Sequence, residues 1–193
     1  MSSIAALPFS AWPTGRKVAA GVFAILGYAA LACAAVAATT GAQAQNLVFN
    51  PGNELALVNG NIPGWTEVQG TVWGQRSSNP PAHEGAHYFF AGAGPLALLR
   101  QDVDVAPLAP AIDAGQMAFD FSGWARSFLQ SNLDTSTFIV TLLNSQSTTL
   151  LAYDSGALSS TGSWQQVQTR LLAPAGTRTV RIDLLATRFA GSN

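Results

Sequence analysis

Beyond residue 44 the apolar residues fall into short runs rich in Val, Phe, Leu, Thr or Trp, each bounded by Gly, Pro, Asn or Ser. That is the spacing of strands and turns, and no window keeps a helical period over three turns. Between Leu96 and Val105, Leu99, Gln101, Val103 and Val105 face one way while Arg100, Asp102 and Asp104 face the other, a strand with charge on its solvent side. Gln116 to Arg126 repeats the pattern, with Met117, Phe119 and Phe121 inward and Ala118, Asp120 and Ser122 outward. Between Thr179 and Ala186, Val180, Ile182 and Leu184 alternate with Thr179, Arg181 and Asp183. The β-branched run Thr137 to Leu143 predicts a central strand buried on both faces. Leu47 to Phe49, Thr66 to Arg76, His87 to Ala91, Leu150 to Asp154 and Trp164 to Leu172 complete the set. About eight or nine short strands separated by turn signals predict an all-β, antiparallel sandwich.

Residues 1–44 have a different grammar. Arg16-Lys17 precedes an Ala/Val/Leu run that closes on Ala42-Gln43-Ala44, the small-residue pattern a signal peptidase cuts, so 1–44 is expected to be a signal peptide. Two alternatives use the same residues: an uncleaved anchor over Val18 to Ala38, and a lipoprotein built on Cys33, the sole cysteine. With the leader gone, about 149 residues remain, 45–193, enough for one hydrophobic core and one domain. They contain neither cysteine nor lysine, so no disulfide holds them.

Charge narrows the partners. The part after the leader keeps seven Arg against ten Asp plus Glu, scattered rather than grouped. A phosphate backbone or an anionic membrane surface calls for a basic stripe, so neither nucleic acid nor membrane insertion of the mature chain is expected.

Two segments imitate catalytic motifs. His83-Glu84-Gly85-Ala86-His87 matches the H-E-x-x-H pattern, which works when both imidazoles share one helical face around a zinc and the glutamate acts as base. Pro80-Pro81 and Gly85 oppose a helix, and the third ligand would have to be an aspartate such as Asp102 because no glutamate follows Glu84. Gly92-Ala93-Gly94-Pro95-Leu96-Ala97, with Asp113 downstream, imitates a dinucleotide fingerprint, but the residues after it alternate as a strand rather than opening a helix. No serine sits in a G-x-S-x-G elbow, and no pair of carboxylates is marked for glycoside cleavage. The expectation is a protein that is not an enzyme.

Asn46-Leu47-Val48-Phe49-Asn50-Pro51-Gly52-Asn53-Glu54 followed by Ile62-Pro63-Gly64-Trp65 resembles the opening of bacterial galactose-binding-like jelly-roll modules. Gly85 to Gly92, Leu99-Arg100-Gln101-Asp102-Val103, Phe121-Ser122-Gly123-Trp124, Asp134 before Val140-Thr141-Leu142-Leu143, and Pro174 to Arg181 extend the resemblance over nearly all of the chain after the leader. It implies a jelly-roll β-sandwich of a secreted or surface protein, carbohydrate-binding and non-catalytic. The family's acidic last strand, similar to N-D-G-Y-x-D-N, has no counterpart before Asn193. Where present, that strand joins the opening glutamate around a structural calcium, which puts Glu54 forward as a metal ligand and requires no other cofactor.

The leading expectation is thus a binding module for a glycan or other cell-surface polymer, exported to the periplasm, cell surface or medium. Aromatic rings would stack on sugar faces beside hydrogen-bonding side chains, with Trp73, Arg76, Tyr88, Trp124 and Arg126 as the candidates. Trp73 with Arg76, beside a polar Ser-Ser-Asn-Pro-Pro loop, is the pair expected to be exposed, whereas Trp65, Trp124 and Trp164 can equally be core fillers. The alternatives are a structural or adhesive spacer without sugar binding, and a zinc-dependent or glycoside hydrolase.

Overall fold

A computed structural model describes residues 2–6, 10–13, 45–70 and 73–189. The apolar run 18–38, Cys33 and the cleavage pattern at 42–44 lie outside the described residues. Among the described residues, eleven strands follow in order: β1 (Ser2–Ala6), β2 (Ser10–Pro13), β3 (Thr66–Gln69), β4 (Gly74–Arg76), β5 (Tyr88–Phe90), β6 (Leu96–Asp104), β7 (Met117–Ser127), β8 (Thr135–Leu143), β9 (Thr149–Asp154), β10 (Gln165–Leu172) and β11 (Thr179–Thr187). A 3₁₀ turn (Ala106–Leu108) and one short helix, α1 (Ala109–Asp113), separate β6 from β7. Among the described residues no helix is long and apolar enough to cross a membrane.

The strands form two antiparallel sheets. The first has the order β10-β7-β1-β5-β4, with β2 also on β7, and the second β3-β6-β11-β8-β9. Both bury one face, because period-2 alternation puts every second side chain inward. Phe119, Phe121 and Ala125 of β7 meet Leu99, Phe138, Val140, Val180, Ile182 and Leu184 of the second sheet in one core. Gly123 sits among them without a side chain because a Cβ there would lie 2.8 Å from the Phe138 ring. The chain is therefore an all-β sandwich, as the alternation predicts, with nine strands after residue 44.

Three elements differ from expectation. Thr66 to Arg76 is two strands in different sheets, since the chain leaves the second sheet after Gln69 and enters the first at Gly74. Gly70 makes the departure, at φ +81° and with Ala97 Cβ 3.1 Å from where its own Cβ would be. Leu47 to Phe49 forms no strand but an irregular bracket fixed by side chains. Thr137 to Leu143 is not buried on both faces: Ser136, Phe138, Val140 and Leu142 are buried, while Thr137, Ile139 and Thr141 line a half-exposed outer face.

The N-P-G-N-E bracket is a hydrogen-bond assembly. Buried Gln101 accepts from Phe49 N–H at 2.8 Å and donates to the carbonyls of Phe49 and Gly64. Asn50 Oδ1 accepts from Leu55 N–H, and the Trp65 indole donates to the Asn50 carbonyl. Fully buried Asn53, at φ +58°, donates from Nδ2 to the carbonyls of Gly74 and Tyr88 and so clips β4 to β5. The P-G-W turn depends on Gly64, whose Cβ would fall 2.2 Å from the Phe49 ring.

Candidate functional site

On the outer face of the first sheet, Asp120, Ser122, Trp124 and Arg126 alternate with the inward residues of β7. Cross-strand pairing sets Gln166 beside Trp124, Gln168 beside Ser122 and Arg170 beside Asp120, where Arg170 grips the carboxylate at 2.9 Å. Arg76 on β4 stands opposite Tyr88, with its guanidinium 3.8 Å above the Phe90 ring.

The loop 77–87 folds over one end of this face. The His83 ring stacks on Trp124, centroids 3.8 Å apart and planes 20° from parallel, and meets Trp164 edge-on at 6.3 Å. Trp164 lies edge-on to Tyr88 at 5.5 Å, and its indole donates to the Pro81 carbonyl. Tyr88 is fully buried beneath this cover, its hydroxyl donating to the Ser78 carbonyl. Burial pushes the Tyr88 phenol's pKa up, against the opposing pull of Arg76 and Arg126.

Beside the cluster opens a cavity of about 680 Å³, lined by Asn79, Pro80, Pro81, Arg126, Phe128, Leu129 and Thr161. Its size falls within the range of small-ligand sites. Phe128 and Leu129 project from the loop after β7 with 42% and 76% of their surfaces exposed. Arg126 donates to the carbonyl of Thr161, which also lines the cavity. The lining thus combines apolar and aromatic side chains with a cation and with amide, hydroxyl and carbonyl groups. A smaller cavity, about 410 Å³, lies on the second sheet between Thr66, Val68, Arg100 and Asp102.

The five candidates are divided by this arrangement. Arg126 lines the cavity and Trp124 lies next to it under His83, while Arg76 sits on β4, two strands between it and β7, over Phe90. Trp73 corrects the expectation of an exposed ring: it is 3% exposed and part of the core, because the crossover between sheets carries it through the interior. Tyr88 is likewise no open platform, since Trp164 and the loop cover it. Of the three tryptophans read as core fillers only Trp65 is one, packed edge-on against Phe89, and Trp164 belongs to the aromatic cover instead. Phe128 and Leu129 were not anticipated, although two adjacent apolar residues before the polar Gln130-Ser131-Asn132 loop were a readable signal.

The H-E-x-x-H residues lie in an irregular loop rather than on a helix, and the two imidazoles have different partners. His83 is on Trp124, whereas His87 Nδ1 lies 3.1 Å from Glu54 Oε2. Glu54 Oε1 accepts the amide N–H groups of Ala86 and His87, both at 3.0 Å. Partial burial raises the Glu54 pKa, but these bonds and the His87 ring outweigh it, and the net shift is downward. A calcium ion takes six to eight oxygens. The groups turned toward Glu54 are N–H donors and an imidazole, which do not fit such an ion, and among the described residues no three His, Cys, Asp or Glu could hold a metal. Gly92 turns at φ +68° into strand β6, with no helix for a dinucleotide phosphate.

Fold and site together define an antiparallel β-sandwich with a mixed apolar and polar surface cavity. No family model matches the chain, and no curated protein matches it. Among solved structures it is similar to the enzymatically active domain of bacteriophage CBA120 tailspike protein 4, at 15% identity and TM-score 0.47, over 70% of this chain and 19% of that one. It is also similar to the CBM22-1 xylan-binding domain of Paenibacillus barcinonensis Xyn10C, at 14% identity and TM-score 0.38, over 64% of this chain and 82% of that one. The chain thus spans about a fifth of the length of that tailspike domain chain.

Proposed function

We propose that the protein is a non-catalytic module that binds a glycan or other surface polymer outside the cytoplasm, through the cavity beside the His83–Trp124 stack. The observation that carries this reading is the pairing of exposed Phe128 and Leu129 with Arg126, Asn79 and Thr161 around one open volume. A sugar has an apolar ring face and a rim of hydroxyls, and an apolar wall facing hydrogen-bonding groups complements both. Aromatic contact supplies affinity, while Arg126 and the Thr161 carbonyl orient the hydroxyls.

A glycan array and polysaccharide pull-downs with the purified protein test the reading. Saturable binding that weakens about tenfold in Arg126→Ala and in Phe128→Ala, about 1.4 kcal/mol each, supports it. Binding that survives the double substitution places the site elsewhere. No binding to any glycan returns the protein to the spacer class.

A further inference from the structure

Strand β7 is paired on both edges, and the N-terminal strands β1 and β2 cover one edge at Gly123 to Ser127 and at Met117 to Asp120. β10 pairs with β7 from Ala118 to Ala125 on one side. On the other, β1 pairs from Gly123 to Ser127 and β2 from Met117 to Asp120. β1 also pairs with Phe89 and Phe90, and in the order of the sheet it alone links the β4–β5 hairpin to β7. The walls of this slot are held without it. Phe89 is fully buried against Trp65, Asn53 clips Tyr88 to Gly74, and β7 is anchored by buried Phe119 and Phe121. Residues 1–44 are the segment whose removal the sequence predicts, and taking them away leaves unpaired N–H and C=O groups along both walls.

We propose that the edge of β7 facing β5 is a strand-acceptor site, filled in the full chain by β1 (Ser2–Ala6) and, in the cleaved form, by an extended uncharged strand of another polypeptide. One strand laid in the slot restores main-chain hydrogen bonds to both walls at once, the mode of recognition in which backbone gives affinity and alternate side chains give specificity. The chemistry of the occupant follows from the register. The register position level with Phe89 and Ala125 lies between two residues that are 0% and 2% exposed, so a charged residue of an occupying strand is disfavoured there. The next position in register is level with Phe90 and Arg126, residues of the outer face, and so admits a polar residue. Residues 2–13 themselves carry no charged side chain.

The test uses the full chain with a site-specific protease sequence inserted after Gln43. After cutting, the fragment 1–43 is expected to co-elute with the rest, and a fluorescent peptide of residues 2–13 to exchange into its place. The same peptide with Ile4→Asp should bind at least tenfold more weakly. Immediate loss of the fragment with no peptide uptake overturns the proposal. In the uncut chain, Ile4→Pro should speed hydrogen exchange of slot-facing amides among Gly123 to Arg126 and at Phe89 and Phe90, with the second sheet unchanged. Unchanged exchange at those amides also overturns it.

Discussion

His83 lies flat on Trp124, and the contact ties a loop residue to the outer face of β7 at a centroid separation of 3.8 Å. The stack closes one face of the indole, so Trp124 acts as floor and hinge post for the loop that borders the cavity rather than as a bare platform. His83→Ala should cost about 1 kcal/mol in urea unfolding, in the range of aromatic pairs. It should also make tryptophan emission more accessible to acrylamide. Unchanged quenching would mean that the loop does not cover Trp124 in solution.

Arg100 and Asp183 stand opposite each other on β6 and β11, joined by two bonds of 2.6 and 2.9 Å. Two residues along, Arg181 grips Asp102 in the same two-bonded way, but that pair is more open to solvent. The Asp183 side chain is only 9% exposed, against 44% for Asp102, and this decides the ranking. Arg100→Ala removes both hydrogen bonds to a nearly buried carboxylate, leaving Arg181 as its nearby cation, and should destabilise by about 3 kcal/mol, whereas Arg181→Ala should cost about 1 kcal/mol or less. Chemical denaturation of both variants checks the order, and equal losses would refute it.

How much of this was readable in advance can be argued from single residues. Leu99, Phe119, Phe121 and Ile182 announced their strands because alternation alone sets which face a strand buries. Trp73 did not, because whether a residue in an irregular connection is inside depends on which sheet the chain enters next, a tertiary fact absent from local pattern. Tyr88 sits on the outer face next to inward Phe89, yet Trp164 covers it from 76 positions away in the chain. The polar bracket was visible as the string from Asn46 to Glu54, but its partners Gln101, Tyr88 and His87 are distant, so only its turn chemistry was legible and not its hydrogen bonds.

Glu54 holds the start of β5 through Ala86 and His87, and its lowered pKa makes that hold dependent on pH. Because the folded value lies below the unfolded 4.5, the contribution is fully present above pH 4.5 and is lost as pH falls through the folded value. Wild-type melting temperature should therefore drop below pH 4.5 more steeply than that of Glu54→Gln. Gly85→Ala should abolish the difference, since a Cβ there would come within 2.2 Å of Glu54 Oε1 and Gly85 already sits at φ +66°. Parallel pH profiles for wild type and Glu54→Gln would show that the carboxylate carries no such linkage.

Gln101 is the one inward-facing polar side chain of β6, and its three bonds all go to the backbone of the bracket and of the P-G-W turn. Substitution by Leu keeps the volume but strands one N–H and two carbonyls, at a cost of about 2–4 kcal/mol for groups shielded from water. Substitution by Glu is more informative. Its carboxylate can still accept from Phe49 N–H, but it cannot donate to the carbonyls of Phe49 and Gly64, and two oxygens would then face oxygen. Protonating that carboxylate restores one donor, so the Gln101→Glu variant should gain stability relative to wild type as pH falls, opposite in sign to the wild-type loss governed by Glu54. Limited proteolysis between residues 45 and 64 should follow the same order, slowest in wild type and fastest in Gln101→Glu at neutral pH. Equal cleavage rates in all three proteins would show that the bracket is held by something other than Gln101.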